Sequence, residues 1–414
     1  MPTFYHLINH IKKRNDSHQS LYLFSMMLFF FVIFDGIISY TAPILIVEAG
    51  ISGTMMGLIM ASSSVAGAIF DLLLCRYLKN TNFRRLLILM FASSLFYPLI
   101  IFQSKAIFGF IIAMILWGFY YDIFNLVQFN FVARVSKKIN HASDFGVINV
   151  FKSLGYAVAP VLAGLLIGVS VVGNKPFILG FVFFAVAIIF FIALSKIVKN
   201  EKTTIPFEPS TLLGNKSFHH EIGLWWRLGR VIFPVLFLTF LLNITDAFFW
   251  TVGPILSEEF GMLGGLFLFT YQLPPLLVGW FVGRATNRFG KKRTALVSFL
   301  IGSLIFCSFF LIKENWLIMT LNFVASFFIA FAWPSINGAY VDYITEKPIL
   351  EKELETVQDY FTNLGYVIGP IVAGFLSDQV GHINTFSLLG IIGVVASICL
   401  LIFTPKKINI TKIE

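Results

Sequence analysis

Cysteine and charge are both scarce in this sequence. It holds 3 cysteines in 414 residues, and charged residues make up only 12% of it. Cys75, Cys307 and Cys399 stand apart in apolar runs with no CxxC or Cys/His spacing, so neither a disulfide frame nor a zinc site is supported. Buried packing is their expected role, and nothing calls for a metal or another cofactor. Acid is scarcer than base, giving a net charge of +9. The cations stand in short segments rather than on one face, which argues against a nucleic-acid partner. What abounds is apolar. The chain is 57% hydrophobic, against roughly 45–50% for a soluble domain, so the sequence reads as an integral, multi-pass membrane protein in contact with the lipid bilayer.

A bilayer core is spanned by about 20 apolar residues. Twelve such stretches occur, at 20–47, 52–78, 84–104, 106–134, 143–171, 176–197, 230–257, 261–286, 293–312, 316–344, 354–379 and 383–404. Backbone groups in lipid must pair within their own segment, which makes these stretches helices and the fold class all-α. Residues 1–19 form a basic lead-in without a cleavage site, read as cytoplasmic rather than as a signal peptide. With the N-terminus inside, Lys12, Lys13, Arg14, Arg76, Lys79, Arg84, Arg85, Arg134, Lys137, Lys138 and Arg284 to Arg293 fall on the inner side. The outer loops hold Lys105, Lys175 and Lys313. That asymmetry follows the positive-inside rule and puts both termini in the cytoplasm of a cell membrane.

The one long polar connection, 198–229, is the expected cytoplasmic linker between a six-helix bundle at 20–197 and a second at 230–404, followed by a tail at 405–414. The halves repeat. FKSLGYAVAPVLAG at 151–164 recurs as FTNLGYVIGPIVAG at 361–374, and DGIISYTAPILIVE at 35–48 recurs as DAFFWTVGPILSEE at 246–259. Duplication in membrane transporters places the binding site near the midplane, between the repeats.

Charges inside spans are costly and face a cavity or a partner. Asp35, Asp122 and Asp246 fall near the middles of the first, fourth and seventh spans, and Lys152 lies about 15 Å into the fifth at 1.5 Å per residue. Lys152 has three readings: snorkelling towards the cytoplasm, a structural pair with Asp122, or a substrate or proton role. In the seventh span Asn243, Asp246 and Trp250 share a face with Thr239 and Gly253, and in the tenth Trp333, Asn337 and Tyr340 share one with Ser326. Asn125 joins Asp122 in the fourth. Polar and aromatic stripes on apolar helices imply a wet cavity. Asp71 and Arg76, with Arg134 and Asp359, have the disposition of an inner gate whose charge pairs favour one conformer.

The chain resembles the major facilitator superfamily, through its twelve spans, its central loop and two motifs. The loop after the eighth span, Gly279-W-F-V-Gly283-R-A-T-N-Arg288-F-Gly290-K-K-R, is close to the family's G-x-x-x-D-R-x-G-R-R, with Gly283 in place of the acid. After the second span, Gly67-A-I-F-Asp71-L-L-L-C-Arg76 keeps the acid and loses the tight ending. In the fifth span Gly146, Gly155, Ala159, Pro160, Ala163 and Gly164 fall on the glycine-proline spacing of the family's antiporters, and Gly365 and Pro370 repeat it in the eleventh. Small residues let a neighbouring backbone approach, and proline bends the helix. The resemblance implies cavity helices one, four, seven and ten, and alternating access of a monomer. It points to proton-coupled efflux of a small organic compound. The alternative is proton-coupled uptake of a sugar, nucleoside or other metabolite. A polytopic membrane enzyme is remote, since His219, His220 and Glu221 have no partner motif.

Overall fold

The computed structural model describes residues 2–77, 83–135, 141–167, 174–198, 218–261, 264–347 and 350–405. Among them the secondary structure is helical. The first half comprises α1 (Pro2–Glu48), α2 (Gly53–Tyr77), α3 (Phe83–Gln103), α4 (Ile107–Val135), α5 (His141–Ile167) and α6 (Lys175–Ile197). The second comprises α7 (Phe218–Thr251), α8 (Gly253–Glu259), α9 (Gly265–Gln272), α10 (Pro274–Phe289), α11 (Lys291–Cys307), α12 (Asn315–Glu346), α13 (Glu351–Val380) and α14 (His382–Phe403), with a 3-10 turn at Ser308–Leu311. Among the described residues eleven helices are long and apolar enough to span a membrane, twelve when a bent pair within 265–289 is counted as one span.

Two spans depart from the expected outlines for local reasons. Pro254 and the pair Pro274–Pro275 lack the N–H that would continue a helix. The seventh span accordingly ends at Thr251 and resumes as α8, and the eighth divides into α9 and α10. Pro43, which matches Pro254 in the repeat, lies inside an unbroken α1. In the seventh span, α7 also begins at Phe218, ahead of 230, because Leu224 and Leu228 fall one turn apart and are buried. Residues 199–217 of the expected linker and 406–414 of the tail lie outside the described residues, as do the side chains of Asp71, Arg76 and Arg134.

Within the first half α1 packs on α5 and α6, and α4 packs on α2 and α3. Within the second, α7 packs on α13, and α11 packs on α12 and α14. The halves join along two seams, α2 with α13 and α5 with α9. These seams are where the glycine-proline repeat acts. A Cβ on Gly265 would run into the carbonyl of Pro160, and a Cβ on Gly57 into that of Pro370, so backbone meets backbone at both. Gly155 and Gly365, one turn or more before the prolines, instead let α5 approach Phe29 of α1 and α13 approach Phe240 of α7.

Candidate functional site

Helices α1 and α7 carry their aspartates into the middle of the molecule, where each meets the matching helix of the repeat. Asp35 is 2% exposed. Its Oδ2 accepts the Tyr156 hydroxyl of α5 at 3.1 Å, and its Oδ1 accepts the Tyr120 hydroxyl of α4 at 2.5 Å and the Trp117 indole N–H at 3.1 Å. Asp246 repeats the theme. Its Oδ2 accepts the Tyr366 hydroxyl of α13 at 2.9 Å, and its Oδ1 accepts the Tyr271 hydroxyl of α9 at 2.7 Å. A carboxylate removed from water needs such donors, since hydrogen bonds to ionised groups are the strong ones.

Tyr156 and Tyr366 are the tyrosines of the two F-x-x-L-G-Y stretches, and Asp35 and Asp246 open the two D-x7-P-I-L-x-x-E stretches. Each half therefore joins its two repeated motifs by one hydroxyl–carboxylate bond. The sequence points to both aspartates and to neither tyrosine, although two motif pairs at nearly one offset carry the signal. The second donors, Tyr120 and Tyr271, come from non-equivalent helices and left no such trace.

Aromatic rings link the surroundings of the two carboxylates. Trp250, one turn beyond Asp246, meets Tyr156 edge to face with ring centroids 5.8 Å apart, so the second half touches the tyrosine that holds Asp35. Tyr121 of α4 stacks on Trp117 at 4.8 Å and lies within electrostatic range of both Asp35 and Asp246. The Lys152 ammonium sits 5.0 Å from the centroid of the Phe124 ring, a cation–π arrangement. It makes no ion pair with Asp122 among the described residues. The carboxylate whose field reaches it is Asp35. Asp122 instead turns towards α2, where its Oδ2 lies against Gly67.

The remaining expected site residues scatter. Asn243 is buried and donates to the Thr239 carbonyl at 2.7 Å, while Tyr340 bonds the Thr239 hydroxyl at 3.1 Å. Asn125 accepts a 3.4 Å contact from Gln128. Trp333 is half-buried and Asn337 exposed. At the end of α10, Gly279, Gly283 and Arg288 are exposed, and Gly290 turns the chain with a φ of 85° that favours glycine. There Lys291 reaches Asp342 at 2.5 Å and the Gly338 carbonyl at 3.1 Å, both on α12. Asp359 and Gly146 are exposed.

A latch at one end of the bundle escaped the sequence reading. Asp378, near the end of α13, caps α2 of the other half: it accepts the Gly53 N–H at 2.8 Å, the Thr54 N–H at 2.7 Å and the Thr54 hydroxyl at 2.7 Å. A carboxylate is favoured there because the first amides of a helix are unsatisfied and carry partial positive charge. Nearby elements close the same end with His382 of α14 on Glu259 of α8 at 2.6 Å.

The sequence profile of the Major Facilitator Superfamily matches residues 24–347 and 235–413. A sodium, lithium, potassium/proton antiporter of Planococcus maritimus is 27% identical over 176 residues, 40% of this chain; the chain thus spans about two fifths of that relative's length (41%). Among solved structures, the nucleoside transporter NupG superposes with a TM-score of 0.70 at 14% identity, covering 94% of this chain and all of that one. A bacterial homologue of the human drug peptide transporters PepT1 and PepT2 does so with 0.66 at 13% identity, covering 93% and 98%.

Proposed function

This chain belongs to the Major Facilitator Superfamily, and on that premise we propose that it exchanges protons for a small compound by alternating access, through a centre built around the carboxylates of Asp35 and Asp246. As a superfamily member with the fold of solved transporters, it is a secondary transporter rather than an enzyme. The observation that carries the coupling is the matched pair of intramembrane carboxylates, each held by tyrosine hydroxyls from other helices of its own half, with Trp250 of the second half against the tyrosine that holds Asp35. Protonation changes what such a carboxyl can accept and donate, so proton binding and helix packing are linked. The partial match to a cation/proton antiporter supports exchange over co-transport. With the cation-rich end taken as cytoplasmic, the α2–α13 latch closes the outer mouth.

Reconstitution into liposomes under an imposed pH gradient tests this reading. Proton flux is followed on addition of cationic dyes, alkali salts, sugars and nucleosides. Proton movement opposite to one of these compounds is expected. Movement of protons together with a sugar or nucleoside would replace exchange by uptake.

A further inference from the structure

The repeat is faithful in its tyrosines and unfaithful in its charges. Asp35 has three hydrogen-bond donors and the ammonium of Lys152 within its field. Lys152 stands one turn before Tyr156 on α5, and its counterpart one turn before Tyr366 on α13 is Thr362. Among the described residues Asp246 has two donors, and it is partly exposed where Asp35 is sealed. The titratable groups facing it are Tyr271 from α9, Tyr366 from α13 and Tyr121 from α4, and among the described residues it hydrogen-bonds or ion-pairs with no lysine, arginine or histidine.

The consequence is a difference in charge balance. In the first half the Lys152 ammonium offsets the Asp35 carboxylate, so that pair is balanced without any visitor. The second half holds a lone carboxylate in a low-dielectric setting, where an uncompensated charge costs several kcal/mol. It needs a proton or a mobile cation. We propose that Asp246 is the carboxylate that trades its proton for the transported monovalent cation, whereas Lys152 keeps Asp35 as a fixed charge. This rests on the antiport reading and names its substrate class. The surroundings suit the visitor: Tyr271 and Tyr366 keep lone pairs when they donate to Asp246, and Trp250 on the next turn offers a π face to a cation. An alkali ion and an organic ammonium share this chemistry.

The test moves the counter-ion from one half to the other. Wild-type protein and the variants D246N, D35N, T362K and K152T/T362K are reconstituted with a trapped pH-sensitive dye, and proton flux is read on adding sodium or potassium chloride in one arm and ethidium in the other. Each variant is first shown to be monodisperse. Wild-type response to the salts identifies an alkali cation, and response to ethidium an organic one. T362K, which supplies Asp246 with an internal cation, is expected to lower the flux at least tenfold, as is D246N. The double variant K152T/T362K is expected to regain flux that D35N, added to it, abolishes. Full exchange by D246N or by T362K in a responsive system overturns the inference while leaving antiport intact. A wild-type protein inert to both probes, yet moving protons with a neutral solute, overturns antiport and this inference with it.

Discussion

The Tyr366 hydroxyl donates to Asp246 across 2.9 Å, joining α13 to α7 through one polar group from each of their repeated motifs. The same bond recurs between Tyr156 and Asp35 at 3.1 Å. Because the partners lie on different helices, each bond reports on how those helices sit, and its loss should be felt in transport before it is felt in folding.

Removing one hydroxyl should therefore hurt the two halves unequally. Y366F leaves Asp246 with Tyr271 alone, whereas Y156F leaves Asp35 with Tyr120 and Trp117. A hydrogen bond to a charged group is worth about 1.5–3 kcal/mol. Y366F should lower the exchange rate about tenfold or more, and Y156F by less, in a liposome flux assay of the two variants side by side.

Lys152 should show its partnership with Asp35 in stability. A buried cation deprived of its carboxylate, or the reverse, is expected to cost about 3 kcal/mol. D35N and K152T should each lower the Tm in detergent, and the double variant should recover part of the loss. A coupling of about 1 kcal/mol or more from the double-mutant cycle would mark direct interaction. Additive losses would argue that the pair is independent.

The Asp378 latch predicts a conformational shift without a change in the cavity. Asp378 is solvent-exposed, so its capping of Gly53 and Thr54 is valued at the level of an ordinary cap, about 1 kcal/mol. D378A should raise the share of molecules open at that end about fivefold. Thiol labelling of a cysteine placed on α2 near Thr54 measures it.

The seams make a steric prediction. G57V and G265V would each place side-chain carbons against a proline carbonyl on the facing helix. Both variants should hold the same end open, labelling faster than wild type. Neither substitution touches the aspartates, so proton binding in detergent should persist.

Much of this organisation was legible in the sequence. Span number, the two-fold repeat and the small-residue stripes follow from apolar length and motif spacing, because lipid leaves the backbone few choices. The packing role of Gly155, Pro160, Gly365 and Pro370 was readable for the same reason, though not that one motif serves two interfaces, α1 and α9. Side-chain pairing was less accessible. Lys152 and Asp122 are both intramembrane charges, yet rotation of α4 turns Asp122 to Gly67 and Tyr120 to Asp35. Spacing along a helix gives a residue's face and not what stands opposite it. Asp378 was hidden differently: its partners are backbone amides, which carry no sequence signature.

The direction of proton movement in sealed liposomes is the most direct test of the whole account. Wild-type protein should drive protons out as a monovalent cation enters, and D35N/D246N should abolish that flux in correctly inserted protein. Protons entering together with the solute, or undiminished exchange by the double variant, would contradict it.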